Sequence, residues 1–305
     1  MTPTPTAPVS RFDFGSAVPA RIAAHPYGAL DYSYTIQEPL LSVENVSQTY
    51  DAPVLRNVNF QISNIVRPGH SQGQVNALLA PSGMGKSTLF RAMAGLMTPS
   101  EGTVYIHENG AKRPVKAGDV GVVAQDFPLF NHLTVMDNIM MAARVRTKNA
   151  ADRKTICEGY LVSFGLADRA DVYPHQLSGG QRQRVSIIQQ VVSCGHMLLM
   201  DEPFSGLDVL RKEEVQNLIT RIASAHEHNS IVITTHDISA ALAIADTVDV
   251  LGRERDVNGV IIPGARVVYS YNLMDMGITW RPDNHTLPQF AELAREIKAR
   301  FHEIV

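Results

Sequence analysis

A glycine- and hydroxyl-rich segment after an apolar stretch carries the first recognisable chemistry in this chain. Residues 80–88 read Ala-Pro-Ser-Gly-Met-Gly-Lys-Ser-Thr. Gly83 and Gly85 let backbone N–H groups turn inward around phosphate oxygens, and the helix expected to follow adds a favourable dipole. Lys86 would reach the β- and γ-phosphates, and the Ser87 hydroxyl would ligate Mg²⁺. We therefore expect a site for ATP and Mg²⁺ whose ligands include Ser82, Gly83, Gly85, Lys86, Ser87 and Thr88.

The first position of this loop departs from the common pattern, which begins with glycine where Ala80 stands. Alanine is tolerated there if the backbone keeps a negative φ. A positive φ would cost about 1 kcal/mol or more.

Two adjacent carboxylates end a second apolar stretch. Residues 196–200 read His-Met-Leu-Leu-Met, and Asp201 and Glu202 follow. An aspartate at the C-terminal end of a strand can hold the Mg²⁺ shell through water, and the adjacent glutamate would lie beside an attacking water as general base. Taken alone, the pair could equally be helix caps or surface charges.

A second glycine motif lies far downstream of the first. Residues 177–184 read Leu-Ser-Gly-Gly-Gln-Arg-Gln-Arg, ahead of the carboxylate pair and of the sequence Pro-Phe-Ser-Gly-Leu-Asp at 203–208. In this order the motifs resemble those of the ATP-binding cassette (ABC) ATPases, over about residues 41 to 270. The resemblance implies a head-to-tail dimer in which this motif contacts ATP held by the partner subunit. The residues implied in that contact are Ser178, Gly179, Gly180 and Gln181.

The same resemblance implies roles for residues outside the glycine motifs. Tyr50 would stack on adenine, although an ordinary strand-end tyrosine is the alternative. Gln125 would touch Mg²⁺ and the attacking water, and Asp208 would couple the two sites along the dimer interface. His236 would contact the γ-phosphate and that water. The implied catalytic residues are thus Lys86, Gln125, Glu202 and His236, and the implied metal ligands are Ser87, Gln125 and Asp201. Gln189 stands where an arginine is common, which would remove a structural ion pair and no catalytic group.

The elements that must position these residues predict an α/β fold. Alternating residues at 41–46 and 54–62 indicate antiparallel strands, and apolar runs at 75–79, 197–200 and 231–234 indicate buried strands, the last two central and parallel. The resemblance implies a P-loop NTPase ABC cassette: a RecA-like parallel core, an antiparallel β subdomain and an inserted helical subdomain at about 127–178.

Three segments are expected along the chain. Residues 1–40 contain scattered prolines without periodicity and predict an irregular N-terminal arm. Residues 41–270 form the ABC ATPase domain that the resemblance covers. Residues 271–305 predict a C-terminal helical extension, because Phe290, Leu293, Ile297 and Phe301 share one helical face.

Composition limits the classes of partner. The 305 residues are 45% hydrophobic and 19% charged, with a formal charge of −3, which makes no electrostatic case for nucleic acid as main partner. Cys157 and Cys194 lack metal-ligand spacing and are expected to be reduced thiols. No apolar run approaches the ~20 residues that a membrane-spanning helix needs, so membrane subunits are expected to be separate chains.

The sequence and the resemblance together predict an ATPase subunit of an importer for a small polar solute. Its expected partners are a second ATPase subunit, either identical or paralogous, transmembrane permease subunits and a solute-binding protein. It would be cytoplasmic, held at the inner face of the cell membrane by the permease. An ABC exporter or lipid-transport ATPase, or a soluble non-transport ABC ATPase, stays open as an alternative.

Overall fold

The computed structural model describes residues 34–67, 73–108, 110–124, 126–194, 197–224, 229–281 and 283–304. These residues fold into two compact units. One unit comprises the described residues between 126 and 194, and the other comprises the described residues before and after that segment. Most of the predicted N-terminal arm, residues 1–33, lies outside the described residues.

The described strands all belong to the larger unit. In chain order they are β1 (Thr35–Thr49), β2 (Pro53–Val66), β3 (Gln74–Leu79), β4 (Glu101–Glu108), β5 (Ala111–Pro114), β6 (Gly121–Val123), β7 (Met197–Asp201), β8 (Ser230–Thr235), β9 (Thr247–Gly252) and β10 (Arg266–Asn272). The described α-helices are α1 (Lys86–Met93), α2 (Val135–Ala143), α3 (Ala150–Ser163), α4 (Gly179–Ser193), α5 (Val209–Ser224), α6 (Ile238–Leu242) and α7 (Pro288–Glu303).

A mainly parallel sheet forms the centre of the larger unit. Its strand order is β10-β9-β3-β8-β7-β6, with β10 antiparallel at one edge. Every residue of β3 and β8 is buried, as expected for central strands that are covered on both faces of the sheet. The predicted central parallel strands are therefore confirmed. Because the strands run the same way, the C-terminal ends of β3, β7 and β8 lie at one edge, where β3 leads into the glycine-rich loop.

A separate antiparallel sheet has the order β2-β1-β4-β5 and confirms the two alternating strands. Strand β1 begins at Thr35, so the prediction of irregular structure up to residue 40 was wrong for its last six residues, 35–40. Those residues are held in the sheet by pairing with the end of β2, where Thr35 faces Val66 and Ile36 faces Ile65.

The helical unit contains α2, α3 and α4 and extends past the predicted boundary at residue 178. Helix α4 belongs to it because it packs on α2, and the Gln189 amide donates to the Asn138 backbone carbonyl at 3.1 Å. Where an arginine would bring a charge, Gln189 thus makes a neutral, buried hydrogen bond.

The C-terminal segment is part of the larger unit rather than a separate domain. Strand β10 crosses the predicted boundary at residue 270, and α7 then buries Phe290, Leu293 and Ile297 as its apolar face predicted. Within the described residues, no helix has the length and apolar character required to span a membrane.

Candidate functional site

The glycine-rich loop connects the end of β3 to the start of α1. Gly83 and Gly85 both have φ of 80°, a conformation that glycine adopts without strain. Ala80 is fully buried, and its φ is not positive. Alanine is therefore tolerated at the first position of the loop. The Ala80 N–H donates to the Thr235 carbonyl at 3.2 Å, so the loop begins against the end of β8.

A cleft of about 490 Å³ opens over this loop. Its lining residues are Val54, Ser82, Gly83, Gly85, Lys86, Ser87, Thr88, Glu202, Ser205 and His236. The structure therefore brings together the predicted phosphate ligands, the predicted general base and the predicted histidine. Sequence reasoning did not single out Val54, because nothing in a strand valine signals that it will reach a cleft.

Lys86 is buried and lines the cleft. Its Nζ donates to the Ala80 carbonyl at 2.8 Å and to the Pro81 carbonyl at 3.2 Å, and it lies 3.3 Å from the Glu202 carboxylate. These partners hold the ammonium group between the start of the loop and Glu202, at the cleft that a phosphate would enter.

Glu202 occupies a strained position with several side-chain partners. Its φ of 48° is a left-handed conformation, which costs a residue with a side chain on the order of 1–3 kcal/mol. The His236 Nδ1 lies 3.0 Å from both carboxylate oxygens, and the Thr235 hydroxyl donates to Oε2 at 3.1 Å. With this backbone conformation, Glu202 lines the cleft.

Asp201 lies beside Glu202 but has a different set of partners. The Ser87 hydroxyl donates to its Oδ2 at 3.3 Å, and the Thr234 hydroxyl donates to its Oδ1 at 2.5 Å. A hydroxyl and a carboxylate next to a phosphate loop suit Mg²⁺, which is usually held by one or two protein groups, water and phosphate oxygens. Across the described residues, no group of three or more His, Cys, Asp or Glu side chains could hold a metal ion.

Tyr50 and Asp208 do not line the cleft. Tyr50 is 57% exposed and its hydroxyl donates to the Met97 sulfur at 3.3 Å. Asp208 caps α5, where its Oδ1 accepts the Arg211 N–H at 3.0 Å. Gln125 lies outside the described residues, so its catalytic and metal-binding roles stay predictions.

The second glycine motif begins α4 in the helical unit. The Ser178 hydroxyl accepts the Gln181 N–H at 3.2 Å, and the Gln181 side chain accepts the Ser178 N–H at 2.9 Å. This reciprocal capping box orders the helix start. Apart from their chain neighbours and the nearby backbone of α4 itself, no described atom lies within 4 Å of the positions that a Cβ would take at Gly179 and Gly180, which leaves room for another molecule to approach this backbone closely.

Comparison with known proteins agrees with this geometry. A sequence profile described as ABC transporter matches residues 57–205. The sulfate/thiosulfate import ATP-binding protein CysA of Gloeobacter violaceus is 33% identical over 267 residues, which cover 86% of this chain and 75% of that protein. The protein of the same name from Mycobacterium bovis is 39% identical over 184 residues, covering 60% of this chain and 52% of that protein.

The structural comparison gives the same family. The structure of cbiO1 from Clostridium perfringens, part of the ABC transporter complex cbiONQ, matches with a TM-score of 0.65 and 25% identity, covering 86% of this chain and all of that one. The chain spans about half the length of the mycobacterial relative that it matches. The phosphate loop, the second glycine motif and the carboxylate pair follow one another along the chain, and 86% of the chain aligns with the Gloeobacter protein at 33% identity. This chain therefore belongs to the ABC transporter family of ATP-binding proteins.

Proposed function

We propose that this protein is an ATPase that binds ATP and Mg²⁺ in the cleft over residues 80–88 and hydrolyses the γ-phosphate. The observation that carries the proposal is the convergence of Lys86, Glu202 and His236 on that cleft. A cation, a carboxylate base and an imidazole beside a loop of inward N–H groups are what phosphoryl transfer to water requires.

Each of these groups has a distinct task in hydrolysis. The loop N–H groups and Lys86 bind the phosphate oxygens and neutralise their charge. Glu202 orients a water molecule and takes its proton as the water oxygen bonds to phosphorus and the bond to ADP breaks. His236 contacts the γ-phosphate and holds the Glu202 carboxylate in place. Ser87 and Asp201 would hold Mg²⁺, which neutralises phosphate charge when bound.

The protein acts as a dimer in this proposal. A single chain carries the phosphate loop in one unit and the Ser178–Gln181 motif in the other. The open backbone at Gly179 and Gly180, at the start of a helix, suits contact with a phosphate on a second subunit. ATP would then favour the closed dimer, because only the closed form makes both sets of contacts, and hydrolysis would reopen it.

We propose that this cycle of ATP binding and hydrolysis drives import of a small polar solute through separate permease subunits. The permease would hold the ATPase at the cytoplasmic face of the membrane. The CysA relatives are named sulfate/thiosulfate import proteins, and cbiO1 is part of a transporter complex. Sulfate and thiosulfate are therefore the first solutes to test, together with a solute-binding protein that would deliver them.

The test compares the full-length protein with its Glu202→Gln variant, which keeps the side-chain size but cannot take a proton. We expect the wild type to hydrolyse ATP with Mg²⁺, and the variant to bind ATP, to lose hydrolysis by roughly 100-fold or more, and to become dimeric when ATP is added. Light scattering after gel filtration reports the dimer, and phosphate release reports the rate. A wild-type rate in the variant would show that Glu202 is not the base.

A further inference from the structure

Two neighbouring threonines at the end of β8 hold the two carboxylates at the end of β7. These strands are parallel neighbours, and the register pairs Asp201 with Thr234. The Thr234 hydroxyl donates to Asp201 at 2.5 Å, and the Thr235 hydroxyl donates to Glu202 at 3.1 Å. Both threonines are fully buried, so neither hydroxyl has bulk water as an alternative partner.

The direction of the Thr235 hydrogen bond is set by its surroundings. The Asp237 N–H donates to the Thr235 hydroxyl oxygen at 3.1 Å. With that N–H at the oxygen, the Thr235 proton is left to point toward the Glu202 carboxylate. Thr235 is therefore a built-in donor to Glu202.

The other two partners of Glu202 have a second task under the proposed function. Lys86, at 3.3 Å, turns to the phosphates when ATP binds, and His236, at 3.0 Å, contacts the γ-phosphate. Thr235 is fully buried and does not line the cleft. Under the proposed function, Lys86 and His236 contact phosphate when the nucleotide binds, and Thr235 keeps its hydrogen bond to Glu202.

We propose that Thr235 and Thr234 are positioning residues for hydrolysis: Thr235 keeps the Glu202 carboxylate aimed at the attacking water in the ATP-bound state, and Thr234 keeps Asp201 aimed at the Mg²⁺ shell. This inference rests on the proposed ATPase function. It assigns the two threonines separate effects, the first on the rate of hydrolysis and the second on the dependence on Mg²⁺.

The test uses the full-length protein with Thr235→Val, Thr235→Ser and Thr234→Val. The valine variants keep a β-branched side chain in the strand and remove only the hydroxyl. Thr247→Val is the matched control, because Thr247 donates to Asn76 at 2.7 Å in the same sheet and does not line the cleft. Equilibrium titration gives the ATP affinity, and phosphate release over a range of Mg²⁺ concentrations gives the rate and the half-saturating Mg²⁺. Thermal melting shows that each variant is folded.

We expect Thr235→Val to bind ATP within about twofold of wild type while its turnover falls about 10- to 100-fold, as for other supporting groups around catalytic ligands. Thr235→Ser should restore turnover to within about threefold, and Thr234→Val should raise the half-saturating Mg²⁺ concentration about tenfold. Thr247→Val should leave all three quantities unchanged.

Three results would overturn the inference: wild-type turnover in Thr235→Val, equal loss in Thr235→Ser and Thr235→Val, or an unchanged Mg²⁺ dependence in Thr234→Val. If Thr235→Val does not fold, Thr235→Ser still decides for Thr235, because a serine variant as slow as Glu202→Gln would show that the hydroxyl is not what matters. If Thr234→Val does not fold, Thr234→Ser replaces it: it keeps the hydroxyl, and a half-saturating Mg²⁺ concentration raised about tenfold in that variant would overturn the role of Thr234. Absence of hydrolysis in the wild type is a different outcome, which overturns the proposed function and this inference with it.

Discussion

The ammonium nitrogen of Lys212 lies 2.6 Å from a carboxylate oxygen of Asp237. Lys212 is in the first turn of α5, whose start is capped by Asp208, and Asp237 directly follows His236 and caps α6 by accepting the Ala240 N–H. The pair thus ties the helix after the carboxylate strand to the segment that carries the cleft histidine. Burial acts to raise the pKa of Asp237, but hydrogen bonds from Lys212 and the Ala240 N–H outweigh it and hold that pKa below its ordinary value.

Replacing Lys212 by methionine should lower the free energy of unfolding by about 1 kcal/mol at neutral pH. A carboxylate whose pKa is depressed by folding stabilises the fold above its unfolded pKa of ~3.9, and that contribution is lost as the pH falls through the folded value. The difference between wild type and variant should therefore shrink on acidification. Urea unfolding at neutral pH and at about pH 3 measures it.

The control is Lys154→Met, since Lys154 pairs with Glu158 at 3.8 Å on an exposed helix surface. That change should have almost no effect, because exposed pairs of this kind contribute little. An equal loss of unfolding free energy in both variants would show that the Lys212–Asp237 pair contributes no more to stability than an exposed pair.

Asn138 holds together the segment that precedes α2 in the helical unit. It is fully buried, accepts the Phe130 N–H at 2.9 Å and donates to the carbonyls of Phe130, Leu133 and Thr134 at 2.9–3.2 Å. Asn138→Leu keeps the size but leaves these backbone groups without their partner. We expect a loss of about 2–4 kcal/mol in unfolding free energy, measured by urea denaturation.

The variant Gln189→Met measures the contribution of the hydrogen bonds that Asn138 receives from Gln189, with Asn138 itself unchanged. It removes the Gln189 amide, which donates to the Asn138 backbone carbonyl at 3.1 Å and to the Asn138 Oδ1 at 3.3 Å, while Asn138 keeps its own bonds to the segment, so the loss should be about 1 kcal/mol. A loss as large as that of Asn138→Leu would contradict the central role given to Asn138.

Gly83 and Gly85 offer a matched comparison within the phosphate loop, because both have φ of 80°. A Cβ at Gly85 would lie 2.9 Å from the Val54 Cγ1, whereas apart from its two chain neighbours no described residue has an atom within 4 Å of a Cβ at Gly83. Both alanine variants share a backbone cost of ~1–2 kcal/mol, and Gly85→Ala should lose about 1 kcal/mol more through crowding. Thermal or urea unfolding without nucleotide measures the stability lost in each variant. Equal losses would show that the Val54 side chain moves away from the new Cβ at no cost in free energy.

A buried charge is neutralised where the C-terminal segment meets the parallel sheet. Asp246 receives the Arg67 guanidinium at 3.2 Å, the Val75 N–H at 2.8 Å and the Trp280 indole N–H, and the guanidinium lies 3.3 Å from the centre of the Trp280 ring. Burial raises the pKa of Asp246 and lowers that of Arg67 to about 10. Burial thus acts against both charged forms, and the ion pair together with the hydrogen bonds to Asp246 acts in the opposite direction.

Arg67→Met should destabilise the protein by about 3–5 kcal/mol, because it leaves the Asp246 carboxylate buried and unpaired. The double variant Arg67→Met with Asp246→Asn should recover part of that loss, since it removes the unpaired charge. Thermal unfolding of both variants gives the comparison. No recovery in the double variant would show that packing of the arginine side chain, rather than charge, determines the loss.

Local sequence was sufficient for the parts of this protein that are formed by consecutive residues. The loop at 80–88, the capped start of α4 at Ser178 and the buried strands all follow from glycine conformations, side-chain capping and apolar runs. The same reasoning misplaced the start of β1 and the end of the helical unit, because those boundaries depend on pairing with β2 and packing on α2 rather than on local preference.

What the sequence by itself determined is the set of reactive groups: a phosphate loop with Lys86, the carboxylates Asp201 and Glu202, and a second glycine motif at Ser178. Only the tertiary structure decided how those groups are held. Thr234 and Thr235 lie 33 residues from the carboxylates they contact, and no local pattern distinguishes them from other strand threonines. They meet because parallel strands in register bring together the ends of distant segments, a relationship that arises only when the sheet forms.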